Sequence, residues 1–274
     1  MMQTRTEIPA ENSELRQALY SGQIFRLSGV PGCAGLVATV LAMLQEDLGD
    51  DCRRAQFCLS REQFLDYVSS LKQRVYGHPA VLETVQRIIS CVGFELRKVA
   101  LDPPRFRAVI HDGHKNPKAG PAYSPHRDTW YGNPQAQINW WIPLHDLTEA
   151  ETFLFYPEVF AVPVPNSSLH FRYDEWIVQV GFGRSYLGND ALYPTIEDTE
   201  QLVLNPMAFS CGAGDVILFS GTHLHGTREN SSGLTRFSLD FRTVHLEDEA
   251  QGIGAPNVDN KSQGSALKDY VHPQ

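Results

Sequence analysis

The sequence predicts an α+β, mainly β fold, an antiparallel sandwich or barrel flanked by helices that come first in the chain. Three observations point there. The first hundred residues carry apolar side chains at helical spacing. From about residue 105, short β-rich runs alternate with Gly/Pro/Asn loops. With 274 residues, 42% of them hydrophobic and 20% charged, the chain is long enough to bury one elaborated core, and it shows no internal repeat.

In chain order, Gln23–Leu27 (QIFRL) reads as a short strand. The runs 34–48 and 60–75 read as amphipathic helices, the second with Ser60 as N-cap and Gln63 completing a capping box. A third helix runs from Pro79 to about Val92, with proline suited to the first turn. Strands follow near 105–111, 137–144, 151–156, 176–181, 215–220 and 235–244. The segment after about residue 247 is rich in Gly, Asn, Asp and Ser and reads as a partly disordered surface tail. The expected organisation is one domain over 1–274, with a helical flank at 1–100, a β core at 105–245 and a tail at 248–274.

Composition narrows the partners. The formal net charge is -9 and no Lys/Arg run stands out, which argues against nucleic acid or an anionic membrane surface. Cys33, Cys52, Cys58, Cys91 and Cys211 are odd in number, irregularly spaced and free of C-x-x-C, so neither a disulfide framework nor a structural zinc site is expected. The polar start, MMQTRTEIPAENSELRQ, predicts no signal peptide, and the apolar run 35–44 is too short to cross a bilayer. A cytoplasmic protein acting on a small molecule fits these features.

Within Ser124–Tyr131 (SPHRDTWY), His126 and Asp128 stand two apart, and in extended backbone such side chains share a side. A second, distant histidine would complete a 2-His-1-carboxylate face that leaves metal positions open. Alone the triplet means little, because roughly one H-x-D/E is expected by chance from ten histidines and 32 acidic residues. His245 and Glu247 form another, but they sit in an acidic run (HLEDEA) that reads as solvated. The first triplet has an ordered set behind it. Gly214-Asp215 leads into the strand ending at Phe219, then come His223, His225, Gly226 and the strand carrying Arg236 and Arg242. His223 and His225 would share a strand face, as would Arg236 and Arg242, so each pair competes for one role.

Over about 105–245 this order resembles the phytanoyl-CoA dioxygenase-like branch of the Fe(II)/2-oxoglutarate-dependent oxygenases. Their pattern is H-x-D, then G-D-x-x-x-F leading to a histidine followed by glycine, then an arginine eleven residues on. The eleven-residue step from His225 reaches Arg236. The resemblance implies a double-stranded β-helix (jelly-roll, cupin-like) core. It implies Fe(II) on His126, Asp128 and His225, and 2-oxoglutarate held by Arg236, Thr227 and Trp141, with Trp140 or Asn139 as alternative inward residues. It implies consumption of O2 and of 2-oxoglutarate, released as succinate and CO2, while a substrate C–H bond is oxidised, usually to a hydroxyl. The carboxylate at Asp128 disfavours halogenation. Trp130, Tyr131 and Arg107 are candidate pocket residues, and His111, His114 and Lys115 form either a solvated loop or a lid. Two other classes compete: a zinc-type hydrolase on the same ligands, and a non-catalytic β-barrel with structural histidines.

Overall fold

Helical spacing builds the outer layer. The structure, a computed structural model, describes residues 4–116, 119–179, 181, 193–197 and 204–273. Helix α1 spans Asn12–Tyr20, α2 Cys33–Leu48, α3 Ala55–Cys58, α4 Arg61–Gly77 and α5 Pro79–Cys91, and the short α6, Gly120–Tyr123, precedes the H-x-D triplet. In α4 the buried residues are Phe64, Val68, Leu71 and Val75, and in α5 they are Val81, Val85, Ile88 and Ile89, one stripe on each helix. The expected starts are present. Ser60 and Gln63 close a capping box, and Pro79 occupies the first turn of α5.

Among the described residues, eight strands follow the β pattern: β1 (Thr4–Arg5), β2 (Ile24–Leu27), β3 (Val99–Val109), β4 (Gln137–Pro143), β5 (Phe153–Phe155), β6 (Val216–Ser220), β7 (His225–Thr227) and β8 (Arg236–His245). Six form a sheet in the order β1-β2-β6-β4-β8-β3, antiparallel except for β1/β2, and β5 pairs antiparallel with β7 in a second sheet. Strand alternation then sorts side chains. Ile138, Trp140, Ile142, Val216, Leu218, Phe237, Leu239 and Phe241 pack with the helices in the main core. Trp141, Ile217 and Phe219 face the other way, into a second cluster with Phe153 and Phe155 of β5. This two-sided sheet places polar residues of β4 and β8 between the two sheets.

Three expectations are corrected. The strand expected at 176–181 is instead part of α7 (Tyr173–Gln179), with residue 180 outside the described residues. Asp174 and Glu175 sit in its first turn, where the helix dipole favours acidic groups, and Tyr173 and Trp176 bury one turn apart. Strand β3 begins at Val99, earlier than expected, because Pro103 and Pro104 obscure the strand and are absorbed at a register shift between Asp102 and Arg105. The acidic run after His245 is not a solvated segment. It forms α8 (Leu246–Ala250), and its Asp248 is buried, accepting hydrogen bonds from Arg16 Nε at 2.6 Å and Tyr20 Oη at 3.0 Å. Residues beyond α8 send Asp259, Ala266 and Tyr270 into buried positions. All five cysteines are free, and no described helix is long and apolar enough to cross a membrane.

Replacing Ser60 by Ala removes the side-chain half of the α4 capping box. It is expected to destabilise the fold by about 1 kcal/mol, read as a lower urea midpoint with an unchanged slope.

Candidate metal centre

One antiparallel rung assembles the centre. His126 N donates to His225 O at 2.8 Å and His225 N donates to His126 O at 3.0 Å, which sets the two imidazoles 4.7 Å apart between centroids. The rung needs the glycine that follows: a Cβ on Gly226 would lie 3.1 Å from Pro125 Cα and 3.2 Å from Pro125 N. Asp128 joins from the same loop, its backbone N–H donating to Gly221 O at 2.9 Å. The ligating atoms of His126, Asp128 and His225 all lie within 4.8 Å of one another, and they form the only such group of His, Cys, Asp or Glu among the described residues. The control triplet behaves differently: His245 is buried and its Nδ1 caps α8.

The donor atoms are prepared for a cation. Nδ1 of His126 lies 3.0 Å from Ser124 O, and Nδ1 of His225 lies 2.9 Å from His223 O. A carbonyl only accepts, so each Nδ1 carries the proton and each Nε2 keeps a free lone pair. Those Nε2 atoms stand 3.7 Å and 3.9 Å from Asp128 Oδ1. Three electron-rich atoms therefore face one another with no proton between them, an arrangement that a metal cation satisfies. Burial pushes His126 down to about 4, keeping its imidazole neutral.

The other carboxylate oxygen is taken. Asp128 Oδ2 accepts from Asn139 Nδ2 at 2.6 Å and Gln137 Nε2 at 2.8 Å, and the Arg242 Nε lies 3.7 Å away. Burial pushes the Asp128 carboxyl upward, but Arg242 and the two histidines outweigh it and hold the group below the usual carboxylate range. Asn139 and Arg242 are direct cross-strand partners on β4 and β8, so sheet register delivers both. Arg242 also donates to Asp102 at 2.6 Å. It thus neutralises Asp128 and the adjoining carboxylates.

Arg236 is different. It is buried, with its Cζ 5.7 Å from the Trp141 ring centroid, and its Nε has no hydrogen-bond partner. Burial pulls it down to about 10, so it stays cationic at neutral pH. Trp141 faces this inner side, whereas Trp140 packs on Phe94 and Phe241 on the helical side. Thr227 ends β7 on the same face as His225. His223 is fully buried among Phe155, Phe160 and Phe219 and belongs to no ligand group.

The candidate pocket residues separate. Tyr131 stands edge-on to His126, with ring centroids 5.2 Å apart. Trp130 is corrected: it is fully buried, with Nε1 donating to Asp259 at 2.8 Å, and serves packing. Arg107 makes a two-point ion pair with Asp240, at 2.6 and 3.0 Å. His111 accepts from Gly233 N at 3.1 Å, tying the 111–115 loop to the turn before β8.

Sequence reasoning missed Arg127, the residue between the two ligands. It is 1% exposed, and all five of its N–H groups are used. They reach Asp259 and the carbonyls of Val159, Phe160, Val162 and Thr222, the last lying just before His223. Arg127 therefore fastens both ligand segments to one point. An arginine flanked by two ligands in extended backbone must point away from them, and that parity was the available signal.

The chain is similar, at low identity, to several solved structures. One is the non-haem α-ketoglutarate-dependent epimerase SnoN from nogalamycin biosynthesis, at 15% identity and TM-score 0.44 over 96% of each chain. Another is HygX from Streptomyces hygroscopicus with nickel and 2-oxoglutarate bound, at 13% identity and TM-score 0.45 over 96% of this chain and 100% of that one. A third is the non-haem monooxygenase ThoJ, at 14% identity and TM-score 0.40 over 84% and 76%. No protein-family model and no curated protein matches the sequence.

Asp259→Ala leaves the Arg127 charge buried without a counter-charge. A loss of about 3–5 kcal/mol in urea unfolding is expected, against little change for a substitution at exposed Lys261.

Proposed function

We propose that this chain is a non-haem Fe(II)/2-oxoglutarate-dependent oxygenase that hydroxylates a C–H bond of a small-molecule metabolite. The observation that carries the reading is a donor set joined to a buried arginine through a chain of rings, Arg236 on Trp141, Trp141 on Phe153 and Phe153 on His225. A three-atom donor set with both histidine tautomers set by backbone carbonyls stands with a buried, uncompensated arginine. The two sheets are read as the two sides of a double-stranded β-helix, within a single domain. Five free cysteines suit a reducing, cytoplasmic setting.

In this reading, His126, Asp128 and His225 hold Fe(II) on one face, leaving the opposite positions open. With 2-oxoglutarate and O2, the iron supplies the oxidising power for the substrate C–H bond, the cosubstrate leaving as succinate and CO2. Arg236 pairs with the distal carboxylate of 2-oxoglutarate, because a buried guanidinium with an unused N–H calls for an anion. Trp141 forms a flat apolar wall beside that guanidinium. Thr227, on the His225 face, offers a hydroxyl to the same carboxylate. Tyr131, edge-on to His126, lines the substrate side. A zinc hydrolase has no use for Arg236. A non-catalytic barrel has no use for converging lone pairs.

Anaerobic addition of Fe(II) and then 2-oxoglutarate is expected to give the visible charge-transfer band of the chelate; its absence sinks the proposal. Asp128→Ala should lose that band and all 2-oxoglutarate-dependent succinate release. Arg236→Ala should bind Fe(II) as before but need on the order of a hundredfold more 2-oxoglutarate, and an unchanged requirement would remove Arg236 from the site.

A further inference from the structure

An amide side chain has two unlike ends. Its oxygen accepts and its NH2 donates, so a half-turn converts attraction for a carboxylate into repulsion. Two amides donate to Asp128, one to its carboxylate and one to its backbone. Gln137 Nε2 lies 2.8 Å from Asp128 Oδ2, and Asn133 Nδ2 lies 2.9 Å from the Asp128 backbone oxygen. Tyr270 Oη has one proton to give, and the nearer acceptor is Gln137 Oε1 at 2.7 Å, with Asn133 Oδ1 at 3.2 Å.

Nothing about this hydroxyl is accidental to its place. Tyr270 is 7% exposed and Gln137 is fully buried, so water does not compete freely for the amide oxygens. The residue is carried in by a backbone pair beside it, Leu101 and Val271 exchanging N–H···O bonds of 2.8 Å each. Burial raises the phenol far above its ordinary value, so the hydroxyl keeps the proton that an amide oxygen requires. The Gln137 amide is confined from its far side as well, since a Cβ on Gly221 would lie 2.8 Å from its Nε2.

We propose that Tyr270 is a positioning residue for the metal centre, its hydroxyl donating to Gln137 Oε1 so that the Gln137 NH2 points at Asp128 Oδ2 and Asn139 Oδ1, leaving Asp128 Oδ1 as the oxygen offered to the metal. This rests on the reading of His126, Asp128 and His225 as metal ligands. It also assigns a role to the segment beyond α8, which closes the centre from behind without touching a ligand.

The test is a Co(II) titration of the full-length apo-protein, followed by the visible d–d absorption of the bound ion. Tyr270→Phe deletes one oxygen. It is expected to raise the Co(II) dissociation constant about tenfold, the lower end of the usual effect of outer-sphere partners, and to change the d–d band. Gln137→Leu should weaken binding to a similar extent. Because Tyr270 acts largely through Gln137, adding Tyr270→Phe to Gln137→Leu should cost about twofold or less, far from the product of the two single effects. A Tyr270→Phe protein with wild-type Co(II) affinity and band overturns the inference even if its melting temperature falls, because a merely structural contact would do that. Penalties that multiply in the double variant overturn it too. If Tyr270→Phe does not fold, Gln137→Leu alone reads the same contact, and wild-type Co(II) affinity in that variant overturns the inference. Wild-type protein that binds no Co(II) overturns the metal reading itself, which distinguishes the two failures.

Discussion

The backbone rung between His126 and His225 is the constraint on which the rest of the centre depends. It joins segments about a hundred residues apart and brings their rings to 4.7 Å between centroids, tilted at 51°. Its neighbours exist to permit it. Gly226 removes the Cβ that would strike Pro125, Gly221 accepts the Asp128 N–H, and Arg127 ties the H-x-D loop to the carbonyl of Thr222. A rung of this kind exchanges two backbone hydrogen bonds between one pair of residues, so the imidazole spacing follows from backbone pairing more than from side-chain freedom.

Charge is arranged in two different ways around that rung. Behind Asp128, cations and anions alternate: Arg242 meets Asp128, Asp102 and Asp240, while Arg105 and Arg107 neutralise Asp102 and Asp240. Buried ions are tolerated there because each is paired and hydrogen-bonded. Arg236 lies on the same inner face of β8 but stands outside this alternation, with a long 3.4 Å contact to the Glu151 carbonyl in place of a carboxylate. An Nε without a hydrogen-bond partner is common to Arg236 and Arg242, so the ion pairs make the difference. Six residues apart on one strand, the two are equal by parity; the eleven-residue step from His225 favours Arg236, and their neighbours differ in the same sense.

Much of the framework was legible because the signals were local. Ser60 and Gln63 announce α4, Pro79 announces α5, and β2, β4, β6 and β8 fall close to the apolar runs that predict them. The misreadings share a cause. Pro103 and Pro104 obscure the first half of β3, and α7 mixes aromatic and β-branched residues whose strand preference is overridden by burial of Tyr173 and Trp176. The polar segment beyond α8 looked like solvent-facing chain, yet Asp259 and Tyr270 are buried because Arg127 and Gln137 offer them partners. Composition cannot reveal a partner that lies more than a hundred residues away.

By itself, the sequence narrowed the candidate ligands to His126, Asp128 and His225, through a resemblance carried by the glycine after His225, the G-D turn and the step to Arg236. Only the tertiary structure decided how that set is held: which tautomer each imidazole adopts, which carboxylate oxygen is free, and which arginine is spent on neutralising Asp128. Those choices depend on hydrogen bonds between strands and segments distant in the chain. They follow from register and burial, which no local pattern of residues encodes.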